Sequence, residues 1–63
     1  MPKEFEIGDI VQSAWGPYGM IIGYDGWDEE EEDDNYLFFC FEEGIQYYMI
    51  SQHLYEVDNV SSR

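Results

Sequence analysis

The amino-acid sequence predicts an all-β fold: a small five-stranded barrel with a long acidic loop between strands 2 and 3 and a one-turn helix before the last strand. Two observations carry this. Short runs of β-branched and aromatic residues alternate with Gly, Pro and Asp turn signals. Between two such runs stands DEEEEDD, Asp28 to Asp34, seven consecutive carboxylates with no apolar residue among them.

Taken in order, Met1 to Glu6 is a lead-in, Gly8-Asp9 a turn, and Ile10 to Ala14 the first strand. Trp15-Gly16-Pro17-Tyr18-Gly19 is a loop, with two glycines and a proline in five residues. Met20 to Asp25 is the second strand, and Gly23 inside it marks a bulge or sharp bend. Gly26 opens the acidic loop, residues 26–35. A helix over Asp28 to Asp34 would set like charges at every i,i+3 and i,i+4 position, each pair costing about 0.2–0.5 kcal/mol.

Tyr36 to Phe41 is the third strand, followed by the turn Phe41-Glu42-Glu43-Gly44-Ile45. A three-residue loop ending in a left-handed Gly44 pairs Phe41 with Ile45, Phe39 with Tyr47 and Leu37 with Met49. All six then lie on one face, the expected core face. Tyr47 to Ile50 is the fourth strand. Ser51 to Leu54 is a single helical turn with Ser51 as N-cap, and Leu54 to Val57 is the fifth strand.

Sixty-three residues form a single domain, 1–63, with its core at about 7–58 and a polar tail at 59–63. A chain this short buries only roughly 60% of its unfolded surface. Its aromatic fraction of 19% supplies the large side chains such a core needs. The formal net charge is −13, and Lys3 and Arg63 are the only basic residues. Surface pairing therefore cannot neutralise the fifteen carboxylates between them. Such a surface repels nucleic acid and anionic membrane and attracts basic proteins or cations. Cys40 is the only cysteine, so no internal disulfide forms, which fits a reducing, cytoplasmic setting. No apolar run has the length of a membrane span, and the start of the chain shows no signal-peptide pattern.

Several residues carry a family resemblance. Gly8-Asp9-Ile10-Val11 followed by Tyr18-Gly19-Met20-Ile21-Ile22-Gly23 resembles the opening hairpin of Tudor-like and KOW-like small barrels. Phe39 to Gly44, then Met49, Leu54 and Val57, resembles their closing pattern of strand, acidic-Gly turn, strand, helical turn and strand. The chain thus looks like an SH3-like barrel over residues 7 to 58, of the kind common in bacteriophage genomes. Nucleic-acid-binding KOW barrels are basic, and this chain is not. The aromatic-acidic loop motif of the peptide-binding SH3 domains is also missing, so neither ligand transfers.

The acidic run has two readings: a solvated loop that maintains solubility, or a row of charge offered to a basic surface. Extended chain would place alternate carboxylates roughly 6.6 Å apart, about twice the 3.4 Å rise per nucleotide of a DNA strand. Phosphate-backbone mimicry is therefore compatible with the spacing. Asp25 and Asp28 offer oxygens to calcium, but the ligand alternation and glycine of an EF-hand loop are missing. No metal or cofactor is expected.

Trp15, Tyr18 and Trp27 are expected at one end of the barrel, capping the core or forming a cation–π patch beside carboxylates. His53 is read as a surface residue of the helical turn. Cys40 is read as a small buried or half-buried side chain, which with Phe38 and Tyr48 can alternatively form a second apolar face. No nucleophile–base pair, phosphate loop or metal-ligand spacing points to an enzyme.

The expected function is a non-enzymatic acidic protein-binding module. In this reading it is phage-encoded and engages a basic, nucleic-acid-binding surface of a host protein in the host cytoplasm, inhibiting it, with DNA mimicry as one mode. The candidate protein-binding residues are Asp25, Trp27, Asp28, Glu29, Glu30, Glu31, Glu32, Asp33 and Asp34, with Trp15 and Tyr18. Neither nucleic acid nor membrane is an expected direct partner, and monomer and dimer both remain open. The alternatives are a structural or accessory virion protein, or a reader of cationic peptides through the aromatic-acidic patch.

Overall fold

The computed structural model of the chain describes residues 5–57. The lead-in before Phe5 and the tail beyond Val57 lie outside the described residues. Five strands, β1 (Ile10–Ser13), β2 (Tyr18–Asp28), β3 (Asp33–Cys40), β4 (Ile45–Ile50) and β5 (Leu54–Glu56), form one antiparallel sheet. Their order is β4-β3-β2-β1-β5, and a single 3-10 turn, Ser51–His53, separates β4 from β5. Strands β4 and β5 are its two edges, so hydrogen bonding does not close it into a barrel.

The eleven-residue β2 pairs with β1 through its first residues and with β3 along most of its length. Its register with β3 shifts twice, between Ile21 and Gly23 and between Tyr24 and Gly26. The first shift is the bulge expected at Gly23. At the second, Gly26 takes a φ of +97°, a conformation an L side chain resists. Bulges of this kind bend a strand, and here they divide β2 between its two partners.

The core lies on one face of the bent sheet. Val11, Ile21, Phe38, Cys40 and Leu54 are fully buried, and Tyr36 and Met49 pack with them. Burying one such large apolar side chain contributes about 1.5–3 kcal/mol. Phe5 adds a lid over the Tyr36 ring, edge-on at 5.4 Å, while its N–H donates to the Tyr36 hydroxyl at 3.2 Å.

Three expectations are corrected. The third–fourth strand connection has four residues, Phe41 to Gly44, not three, and Cys40 rather than Phe41 pairs with Ile45. A left-handed Gly44 (φ +74°) is present as expected, but it closes the longer loop, through its N–H to the Cys40 carbonyl at 2.8 Å. The one-residue slip reverses the face of β3, while β4 keeps the one expected for it. Tyr36, Phe38 and Cys40 face the core in place of Leu37, Phe39 and Phe41; Met49 is buried opposite Tyr36, and Ile45 and Tyr47 lie on the same side but exposed.

Second, residues 26–35 are not one long acidic loop. β2 runs to Asp28 and β3 starts at Asp33, leaving Glu29 to Glu32 as the connection. Third, Ser51 is not the N-cap of the helical turn; that position is Ile50, without a side-chain cap bond. Ser51 is buried, and its hydroxyl turns to Asp33.

Candidate functional site

The acidic run is built as the tip of the β2–β3 hairpin, and its seven carboxylates divide by length. Asp28 Oδ1 accepts the backbone N–H groups of Glu30 (3.0 Å) and Glu31 (3.2 Å), and its carbonyl accepts that of Glu32 at 2.7 Å. Asp33 is buried, at 5% exposure. Its Oδ1 accepts from the Ser51 hydroxyl at 2.5 Å and its Oδ2 from the Gln52 N–H at 2.8 Å, so it ties the hairpin to the 3-10 turn. Asp34 accepts from the Tyr24 hydroxyl at 2.7 Å. Glu29, Glu30, Glu31 and Glu32 are exposed.

The aspartates therefore shape the hairpin and the glutamates carry its charge. The sequence holds the signal for this division: Asp stands at the ends of the run and Glu in its middle. An Asp side chain is short enough to bond nearby backbone amides, which a Glu reaches poorly.

Burial pushes the Asp33 carboxyl up, but the hydrogen bonds from Ser51, Gln52 and the Asp34 N–H outweigh it and hold the group below the usual carboxylate range. The Tyr24 phenol is raised, first by its hydrogen bond to Asp34 and then by burial and the nearby negative charge.

Next to the hairpin lies an open groove of about 630 Å³. Trp15, Pro17 and His53 line it from the β1–β2 loop and the 3-10 turn, and Tyr47 and Tyr48 from β4. Phe38 contributes from β3, and the carboxyl-bearing residues Asp28, Glu31 and Glu43 line the same groove. Trp15 stands edge-on to His53, with ring centroids 5.3 Å apart. Tyr47 donates its hydroxyl to Glu43, and that bond is the main reason its phenol is raised.

Among the described residues no ring contact joins Trp15, Tyr18 and Trp27: Trp15 packs on His53 and lines the groove, and Tyr18 and Trp27 stand nine positions apart on β2, on either side of its two register shifts. Tyr18 lies opposite Gln12, and Trp27 opposite Asp34. Asp25 is exposed at the second register shift. Glu43 and Pro17 are not among the binding residues the sequence indicates, and Tyr47 is expected only on the core face; the three reach the groove from the β3–β4 loop, the β1–β2 loop and β4.

Among the described residues no group of three or more His, Cys, Asp or Glu is arranged to hold a metal ion, and no helix is long and apolar enough to cross a membrane. Compared with family models, curated proteins and solved structures, the chain matches none.

Proposed function

We propose that the chain is an acidic binding module that docks onto a basic surface of another protein through the tip of the β2–β3 hairpin and the adjoining groove. The observation that carries this is the ordering of the charge. Asp28 and Asp33 fix both ends of the turn, so Glu29 to Glu32 are presented from a held frame. Binding such a preordered surface forfeits less conformational entropy than binding a flexible acidic tail.

The groove favours a specific form of this reading, a cationic segment of the partner. An Arg or Lys side chain laid along it would meet the Trp15 and Tyr47 rings together with the carboxylates of Asp28, Glu31 and Glu43. The partner in our reading is a nucleic-acid-binding protein of a host cell, occupied and inhibited in the host cytoplasm by a phage-encoded protein. Mimicry of a single extended phosphate row has no support in the geometry, because the run folds back on itself at Glu29 to Glu32. Competition with DNA would instead arise from shared use of a basic surface. The strand order, the bent β2 and the 3-10 turn before β5 support an SH3-like arrangement for the domain.

The test is titration with an arginine-rich peptide at several salt concentrations. Exchanging Glu29, Glu30, Glu31 and Glu32 for Gln should slow association and flatten the salt dependence. Trp15→Ala should instead speed dissociation. An affinity that neither change alters, at any salt concentration, would remove this surface from consideration. With a DNA-binding partner in hand, DNA should displace the chain.

A further inference from the structure

Away from the hairpin tip, where Asp28 lies opposite Asp33, the face of the sheet opposite the core carries no charge across β1 to β4. Its central row runs Ile10, Met20, Phe39, Gln46 across four strands. On one side lie Gln12 and Tyr18, with Phe41 bonded through its N–H to the Tyr18 carbonyl at 3.1 Å. On the other lie Leu37 and Tyr48, with Ile22 in the bulge. None of these positions is acidic or basic, in a chain with fifteen carboxylates. Nor are they well covered: Ile10, Tyr18, Phe41 and Tyr48 are 45, 49, 49 and 65% exposed.

We infer that this face is the contact between two copies of the chain. A basic partner gains nothing from it, because it offers no carboxylate. A second copy brings the same uncharged surface, which a two-fold contact makes self-complementary. The amides of Gln12 and Gln46 both donate and accept, so they can satisfy their counterparts across such an axis.

The area is sufficient. At roughly 200 Å² for a large side chain, the four exposed residues offer on the order of 400 Å². The half-buried Met20, Ile22, Leu37 and Phe39, with Gln46, raise this to on the order of 600 Å². Two copies then bury about 1,200 Å², at the lower end of stable interfaces. The dimer is accordingly concentration-dependent rather than obligate. Its salt response is opposite in sign to that of the hairpin surface. Two chains of charge −13 repel, so added salt favours the dimer, whereas it weakens attachment to a basic partner.

Sedimentation equilibrium of the full chain over a range of protein and sodium chloride concentrations tests this. The expected result is a monomer–dimer equilibrium whose dissociation constant falls as salt rises. Phe41→Glu places a charge in the face and should raise that constant about tenfold or more, while amide chemical-shift dispersion reports an intact fold. Should Phe41→Glu unfold the chain, Ile10→Glu on β1 carries the same test, and neither residue lines the groove that Tyr48 shares. A chain that stays monomeric at the highest concentration in moderate salt overturns the inference. So does a dimer whose dissociation constant is unchanged by a charge in this face.

Discussion

Glu32 and Gly44 hold the same place in two turns of one form. Each is the fourth residue of a four-residue connection, between Asp28 and Asp33 in one hairpin and between Cys40 and Ile45 in the other. Each donates its N–H to the carbonyl four residues back, at 2.7 and 2.8 Å. Each has a positive φ, 56° for Glu32 and 74° for Gly44. Glycine adopts this conformation without strain, whereas an L side chain there costs about 1–2 kcal/mol.

Glu32→Gly should therefore stabilise the domain by about 1 kcal/mol. Glu32→Gln serves as the control, since it removes the charge and leaves the backbone strained. Gly44→Ala should lose a similar amount, although no atom stands near enough to obstruct the new methyl group. Chemical denaturation of the three variants measures both effects. Equal stability of Glu32→Gly and Glu32→Gln would mean the left-handed residue is not strained.

Asp33 makes a pH-dependent contribution whose sign is fixed by its hydrogen bonds. Its folded-state carboxyl lies below the ordinary range. The stabilisation is therefore fully present above the unfolded carboxyl value, about 3.9, and is lost as pH falls through the lower folded value. Asp33→Asn removes it. The stability difference between wild type and Asp33→Asn should thus be constant near neutral pH and shrink below about pH 4. Comparing the two proteins at each pH cancels the relief of repulsion as the other carboxylates protonate. Asp33→Ala, which leaves the Ser51 hydroxyl and the Gln52 N–H without their acceptor, should lose about 1–3 kcal/mol at neutral pH.

Why some elements were legible and others not follows from the range of the forces. The bulge at Gly23, the left-handed Gly44 and the 3-10 turn after Ile50 are local backbone features, and their residues announce them. The face of β3 is decided by a count of loop residues. Tyr36-Leu37-Phe38-Phe39-Cys40-Phe41 is apolar at every position, so alternation within it cannot choose between Phe38 and Phe39. The choice is made across the sheet, where Phe38 lies opposite Ile21. The anchoring of Asp33 by Ser51 and Gln52, eighteen and nineteen positions later, is likewise a tertiary contact. Its hint was the identity of the side chain, Asp rather than Glu.

That choice of face depends on Gly19. A Cβ at this position would overlap the Phe39 carbonyl oxygen and stand 2.5 Å from the Phe38 ring. The backbone of β2 lies against the aromatic side chain that fills the core, and only glycine leaves the room. Gly19→Ala should destabilise the domain by about 3 kcal/mol or more, since the obstacle is backbone and a fully buried ring. Gly16→Ala, where no atom stands within 4 Å of the added methyl, isolates the effect of backbone conformation from that of the collision. Thermal unfolding of both separates them; a Gly19→Ala protein as stable as wild type would contradict the packing of Phe38 beneath β2.

Charge repulsion within the fold has two ranges, and salt separates them. Screening acts over about 10 Å at 0.1 M and about 3 Å at 1 M. Carboxylates at opposite ends of a molecule 34 Å long are therefore already uncoupled at the lower concentration. Those of Glu29 to Glu32 are crowded onto one four-residue turn and are not. The melting temperature of the wild type should rise as sodium chloride is added, and should keep rising between about 0.1 and 1 M. Replacing the four glutamates by Gln should raise the melting temperature at low salt and make the rise level off near about 0.1 M. The difference between the two proteins removes any general effect of salt on apolar burial. If the two curves run parallel across the whole range, the hairpin is not where the fold is electrostatically strained. The opposing charge would then be spread over the sheet as a whole, and neutralising the hairpin would alter binding without altering stability.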